Sequence, residues 1–231
     1  MSITENVIAI KAKIRETAIA AGRDPSQIQL CAATKMNGTA AVREAIAAGV
    51  DLCGENRVQE LVQKSAEHAY DGVPVHFIGH LQTNKVRQVV GKVDLIQSVD
   101  RMKLLTAIQE EAARQGIVQK ILLQINIGNE DSKGGFLAEE IWDILDQLQD
   151  LPNIFVCGLM AIPPISENPG DNCKYFQKMY NLAVDITAKN RHNVSMETLS
   201  MGMTDDFVDA IACGSTMIRV GTAIFGPRNY N

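Results

Sequence analysis

Apolar residues along the chain alternate between a helical spacing and short continuous runs. In residues 4–21, Val7, Ile10 and Ile14 recur every three or four positions among charged residues, which predicts an amphipathic helix that ends near Gly22. Beyond it, short apolar runs bounded by turn residues alternate with further helical patterns. The predicted strands span residues 29–34, 50–53, 75–78, 93–99, 120–127, 154–160, 197–200 and 216–220.

Helices are predicted in each interval between these strands, at residues 39–48, 55–67, 83–90, 101–115, 138–149, 172–189 and 204–212. Strict alternation of strand and helix indicates a parallel sheet with helical crossovers. An open doubly wound sheet and a closed (β/α)8 barrel both fit this order. Eight units in about 200 residues favour the TIM barrel, near the lower end of its size range. No linker divides the chain, so we predict a single domain over residues 1–231, with an extra N-terminal helix.

Composition and charge limit the kinds of partner. The chain has 231 residues, 46% of them hydrophobic, and a net charge of −5, which disfavours non-specific binding to nucleic acid. No run reaches the roughly 18 apolar residues that a membrane span needs, and the N-terminus has no signal-peptide pattern. The five cysteines are scattered without a C-x-x-C pair, which favours a reducing, cytoplasmic compartment.

Residues with reactive groups collect where the predicted strands end, which is where TIM barrels carry their active sites. Lys35 follows the first strand, Ser200 and Gly202 follow the seventh, and Gly221 and Thr222 follow the eighth. The last two loops of a barrel commonly bind phosphate, with hydroxyls and closely approaching backbone N–H groups. The alternatives are that these glycines only form tight turns and that Lys35 is a surface residue.

A lysine opposite a phosphate site is the arrangement that pyridoxal phosphate (PLP) requires, together with a partner for its ring nitrogen. Arg219 lies two residues before Gly221, so both face the same side of the strand. The sequence has no Walker motif, no G-x-G-x-x-G, no G-x-S-x-G and no H-E-x-x-H. These patterns favour a PLP site over a nucleotide, hydrolase or metal site.

Longer segments carry a family resemblance over residues 3–230. The chain resembles the pyridoxal phosphate homeostasis proteins. The matching segments are 33–35 (ATK), 54–60 (GENRVQE), 76–85 (HFIGHLQTNK), 158–160 (GLM), 199–206 (LSMGMTDD) and 219–226 (RVGTAIFG). Each segment is short, but together they are specific to this family.

The resemblance implies a barrel like the N-terminal domain of alanine racemase, with PLP held as an imine on Lys35. It places Arg219 at the pyridine nitrogen. The phosphate contacts that it implies are Ser200, Gly221 and Thr222. The pocket positions that it implies, with less defined roles, are Asn56, His76, Ile78 and Met160.

Two further lysine positions bear on how the cofactor would move. Lys133, in the loop Asp131-Ser132-Lys133-Gly134-Gly135, matches a family lysine connected with PLP transfer or regulation. Many members carry a second lysine two residues after the imine lysine, and here that position is Asn37. A mechanism that uses that second lysine as a PLP acceptor is therefore in doubt for this chain.

The nature of the ring-nitrogen partner disfavours transaminase chemistry, although racemases can work with such a partner. Arg219 only donates hydrogen bonds, so it should keep the pyridine nitrogen unprotonated and weaken the cofactor as an electron sink. Racemisation also needs acid–base groups on both faces of the cofactor, and Lys35 would serve only one. In alanine racemases a tyrosine of the partner subunit's second domain serves the other. This chain's tyrosines are not at predicted strand ends: Tyr70, Tyr175, Tyr180 and Tyr230.

We therefore predict a PLP-binding protein without robust catalysis, which buffers or delivers PLP and maintains intracellular PLP and amino-acid homeostasis. Its expected partners are PLP and PLP-dependent apo-enzymes, and the missing racemase domain favours a monomer. The alternative is a PLP-dependent amino-acid racemase. A third hypothesis is a barrel enzyme without PLP that acts on a phosphorylated substrate.

Overall fold

Eight parallel strands form a closed barrel in chain order, and β1 pairs with β8 to complete it. The computed structural model describes residues 1–130, 133–166 and 168–227. Asp131, Ser132 and Tyr230, which the sequence analysis named, lie outside these ranges. The barrel and the helix that precedes it confirm the predicted fold class.

The strands lie close to their predicted positions. They are β1 Gln29–Ala33, β2 Leu52–Glu55, β3 Val75–Phe77, β4 Leu95–Val99, β5 Gln119–Ile125, β6 Ile154–Ala161, β7 Val194–Ser200 and β8 Met217–Val220. The α-helices are α1 Ile3–Ala20, α2 Thr39–Ala47, α3 Val58–Ala66, α4 Met102–Gln115, α5 Ile141–Gln147, α6 Cys173–Thr187, α7 Phe207–Ala212 and α8 Thr222–Phe225.

The structure differs from the sequence analysis at several element boundaries and in one helix type. Glu55 ends β2 instead of beginning the next helix, which starts at Val58. The crossover after β3 is a 3-10 helix, Thr83–Gln88, and β7 begins at Val194 instead of residue 197. Glutamate is favoured in first helical turns, but pairing of β2 with β3 overrides that local preference.

Alternation along β1 determines which side chains point into the barrel. Leu30 and Ala32 pack outward against the helices, whereas Cys31 and Ala33 pack inward with residues of β2 and β8. Because side chains alternate with a period of two, the next inward position after Ala33 is Lys35. The sequence of β1 therefore directs this lysine toward the mouth of the barrel.

Helix α1 packs against the first and last strands of the barrel, whose ends carry the predicted site. Its buried residues Val7, Ile10 and Ile14 join the outer core that contains Leu30 of β1 and Val220 of β8. It packs on α2, α7 and α8. Within the described ranges, no helix combines the length and apolarity needed to cross a membrane.

Candidate functional site

A cavity of about 240 Å³ lies between the C-terminal ends of β1 and β8. Lys35 and Asn37, from the turn after β1, line one side of it. Gly221 and Thr222, at the start of α8, line another. Lys35 is half-buried there. The structure thus brings the predicted reactive lysine together with two of the four predicted phosphate-binding residues.

Gly221 leaves space that a ligand could use. A Cβ at this position would lie 3.4 Å from Cβ of Ala33, an ordinary contact, and the φ angle of −118° is open to any residue. Neither packing nor backbone conformation therefore requires glycine at position 221. Because Gly221 lines the cavity, a side chain here would occupy volume beside Lys35. We call the space beside Gly221 and Thr222 the phosphate cradle. It fits the phosphate of PLP at the first turn of α8, where backbone N–H groups have no partner within the helix.

Gly202 has a different reason to be glycine. Its φ angle is +94°, and a Cβ would lie 2.6 Å from Cβ of Ala210 in α7. Close packing and a left-handed backbone explain this glycine without a ligand. A phosphate contact from Gly202 stays a prediction.

Arg219 lies inside the barrel, 5% exposed. Its Nη1 donates to the backbone oxygen of Ser200 at 2.6 Å, and its Nη2 donates to the backbone oxygen of Ala161 at 2.9 Å. Burial lowers the pKa of the guanidinium to about 10. Arg219 therefore remains a cation at neutral pH and offers hydrogen-bond donors only.

A run of hydrogen bonds connects Arg219 to His76 across the barrel interior. Arg219 Nη1 donates to the Ser200 hydroxyl at 2.5 Å, and that hydroxyl donates to Oε1 of Gln97 at 2.6 Å. Nε2 of Gln97 lies 2.8 Å from Nδ1 of His76. We call these four side chains the Gln97 chain. The Ser200 hydroxyl already has two partners, so it would have to exchange one to contact a phosphate.

Within this chain, His76 is neutral. Burial lowers the pKa of its imidazole to about 4. Because the Gln97 amide donates to Nδ1, the ring proton lies on Nε2. Sequence analysis identified His76 and missed Gln97. The alternation along β4 contained the signal, since Gln97 is a polar residue between the apolar inward position Leu95 and the strand end.

Asn56 and Ile78 line a second cavity, of about 280 Å³, that extends over the ends of β3 to β5. Oδ1 of Asn56 is buried and has no hydrogen-bond partner in the described part of the chain. Buried polar atoms are nearly always paired, so a donor from a ligand would complete this site. Ile78 belongs to the same apolar cluster as Ala33, which lines the first cavity.

The remaining predicted residues lie around these two cavities. Met160 packs inside the barrel with Leu95 and Leu122. Lys133 lines the second cavity, where it forms an ion pair with Glu130 and donates to the backbone oxygen of Pro163 at 3.0 Å.

His80 is the acid–base group that the sequence analysis left unassigned. It lines the second cavity, and its Nδ1 lies 3.1 Å from Oδ2 of the buried Asp100. A carboxylate at that distance orients the imidazole.

Comparisons with known proteins show the family and the fold. The family model for the N-terminal domain of alanine racemase matches residues 6–229. A pyridoxal phosphate homeostasis protein of Aquifex aeolicus is 40% identical over 230 residues, covering 100% of both chains. The structure of PipY from Synechococcus elongatus with PLP bound has a TM-score of 0.83 at 32% identity, covering 97% of this chain and 100% of that one.

A more distant similarity concerns the fold alone. An alanine racemase of Clostridium difficile matches with a TM-score of 0.73 at 15% identity, covering 98% of this chain and 58% of the racemase. Three findings identify the family of this chain: its full-length identity to curated relatives, the family match and the shared barrel. It belongs to the family of pyridoxal phosphate homeostasis proteins.

Proposed function

We propose that this protein binds PLP and buffers or delivers it, and so maintains PLP and amino-acid homeostasis. The main observation that supports this proposal is that Lys35, Gly221 and Thr222 line one cavity at the barrel mouth. Support comes from curated relatives named for PLP homeostasis and from a similar structure that contains PLP.

Each residue of the cavity has a distinct role in this proposal. When bound, PLP supplies an aldehyde that condenses reversibly with a lysine amine, with release of one water. Lys35 is the attachment point, because it is the lysine that shares the cavity with the phosphate cradle. Gly221 and Thr222 hold the phosphate through backbone N–H groups and a hydroxyl. Arg219, which is buried in the barrel and is not one of the residues that line this cavity, would donate to the pyridine nitrogen.

The Gln97 chain supports holding the cofactor over using it. Its cation, Arg219, has donors only, which disfavours transaminase chemistry, because that chemistry relies on a carboxylate partner that keeps the ring nitrogen protonated. A racemase also needs a second acid–base group, and His80 lines the second cavity instead of the one that Lys35 lines. Among the described tyrosines, Tyr70 bonds to Glu55 on the outer side of the barrel wall, and Tyr175 and Tyr180 lie on α6.

The wider setting follows from the same proposal. All five cysteines are free, which supports a reducing, cytoplasmic compartment. We infer a single functional unit over residues 1–231, acting as a monomer that gives PLP to PLP-dependent apo-enzymes. Lys133 lines the neighbouring cavity, a position from which it can affect release.

The deciding experiment combines spectroscopy with isotope exchange. The protein is loaded with PLP and incubated in heavy water with a panel of L-amino acids, and the visible absorbance of lysine-linked PLP is recorded. We expect this absorbance to disappear in Lys35→Ala and to persist in Lys13→Ala, whose lysine is exposed on α1. We expect no deuterium at Cα, and transfer of PLP to an added apo-enzyme.

Two results would overturn the proposal in different directions. Deuterium uptake that Lys35→Ala abolishes would establish a racemase-like catalyst. Binding of inorganic phosphate without any Lys35-dependent absorbance would point to a barrel that uses a phosphorylated substrate and no PLP.

A further inference from the structure

The turn that carries Lys35 is held on both sides of the lysine. Before it, the N–H of Thr34 donates to the backbone oxygen of Gly54 at 2.9 Å. After it, the N–H of Met36 donates to Oε2 of Glu60 in α3 at 2.7 Å. Met36 has a φ angle of +63°, a left-handed conformation that non-glycine residues adopt only when neighbouring contacts stabilise it.

Glu55 connects this turn to the candidate site. Its side chain is fully buried, and its Oε2 accepts from Lys64 at 2.7 Å and from the Thr34 hydroxyl at 3.0 Å. Tyr70 adds a third bond to the same oxygen at 3.1 Å. The other oxygen, Oε1, accepts from the N–H of Asn56 at 2.7 Å. One carboxylate thus contacts the residue before Lys35 and the first residue after β2.

All three ammonium donors of Lys64 are used by Glu55 and by residues around it. Its ammonium donates to Glu55 at 2.7 Å, to Glu60 at 3.0 Å and to the backbone oxygen of Thr34 at 2.8 Å. Three donors with three acceptors leave no proton of the ammonium unused. We call Thr34, Glu55, Glu60, Lys64 and Tyr70 the Glu55 network.

Nearby hydrogen-bond donors and cations compensate the negative charges of the Glu55 network. Burial opposes ionisation of Glu60, but the N–H of Met36 and the Lys64 ammonium outweigh it and lower the pKa of this carboxyl. Burial and Glu55 raise the pKa of the Tyr70 hydroxyl, so it remains a donor. Arg57 adds a second cation, with its Nη1 3.6 Å from Oε1 of Glu60, so Glu55 and Glu60 lie beside two positive charges as well as neutral donors.

A purely structural role explains this network poorly. The space between β2 and α3 could be filled by apolar side chains, which are often as stabilising as a buried ion pair or more so. Here the bonds end on Thr34 and Met36, the two neighbours of Lys35, and on Asn56. Thr34 and Glu55 lie on the outer side of the wall, whereas the Lys35 position alternates inward.

We propose that Glu55, Glu60 and Lys64 are positioning residues, which hold the Lys35 turn so that the lysine amine meets the PLP aldehyde in the cavity. This inference rests on the proposed function. The network acts from outside the barrel wall and does not touch the cofactor.

Glu60 is the residue to test, because its side chain is 20% exposed and its loss leaves the Glu55–Lys64 pair intact. In Glu60→Ala we expect covalent capture of PLP to become about tenfold slower, because the turn loses its Met36 contact. Binding of pyridoxine 5'-phosphate, which has no aldehyde, should stay within about twofold. Glu60→Gln keeps an acceptor for the Met36 N–H and should restore most of the capture rate.

The matched control is Glu67→Gln, an exposed glutamate at the end of α3 that bonds to Thr39 and Gln63. We expect it to capture PLP like the wild type. Equal capture rates in Glu60→Ala and wild type would overturn the inference, as would a parallel loss of pyridoxine 5'-phosphate binding. If the wild type itself shows no Lys35-dependent absorbance, the proposed function fails and the positioning role fails with it.

Discussion

The Glu55 network and the Gln97 chain are both buried and polar, but they lie on opposite sides of the barrel wall. Their polar side chains are stabilised in different ways. Outside the wall, Lys64 and Glu55 form an ion pair at 2.7 Å. Inside, His76 is neutral because burial lowers its pKa to about 4. Arg219, the cation of the Gln97 chain, donates to backbone oxygens of β6 and β7.

This difference indicates what each region can do. A closed set of ion pairs has no donor left for a ligand, so the Glu55 network suits holding a turn in place. Beyond the Arg219 guanidinium, the Gln97 chain consists of amide, hydroxyl and imidazole groups that can exchange hydrogen bonds without separating charge. It therefore suits a surface that a cofactor contacts and leaves.

The largest effect is expected from breaking the ion pairs. Lys64→Met keeps a similar length but removes the ammonium, so Glu55 becomes a buried charge without its partner. The free energy of unfolding should fall by about 3–5 kcal/mol, measured by urea denaturation at neutral pH. The control Lys13→Met, at an exposed lysine, should stay within about 0.5 kcal/mol. A loss below about 1 kcal/mol would show that Glu55 escapes by protonation, and the contrast between the regions would disappear.

A smaller effect is expected inside the barrel. Gln97→Leu removes the partner of His76 and of the Ser200 hydroxyl, and it leaves no charge unpaired. We expect a loss of about 2 kcal/mol in the free energy of unfolding, since each buried group left without a partner costs about 1–3 kcal/mol. The same measurement on Gln147→Leu, an exposed glutamine, should show little change. A loss as large as that of Lys64→Met would mean that the Gln97 chain also depends on charge.

An effect of similar size, but spread over two pH units, is the pH dependence that His76 alone should cause. Its pKa falls from 6.5 in the unfolded chain to about 4 in the fold, so the unfolded state binds more protons between these values. Stability is therefore greatest above pH 6.5 and decreases as the pH falls, by about 2 kcal/mol between pH 7 and pH 5. Urea unfolding at both pH values should show this loss in the wild type and in His192→Gln, and lack it in His76→Gln. An unchanged loss in His76→Gln would assign it to another group.

Much of the architecture could be predicted because it depends on local order. Alternating apolar runs predicted eight strands and the barrel, and side-chain alternation directs Lys35 inward. The boundary errors at Glu55 and Val194 arose where strand pairing overrides local preference. Lys35, Gly221 and Thr222 could be named because barrels gather strand ends at one face.

What the sequence by itself determined is the βα order, the barrel and the lysine at the end of the first strand. Only the tertiary structure decided that Glu55 faces α3, that Gln97 joins His76 to Ser200, and that Gly202 serves packing instead of a ligand. The physical reason is that periodicity records which face a side chain takes. Hydrogen bonds between residues 15 to 103 positions apart depend on distances that only the closed barrel defines.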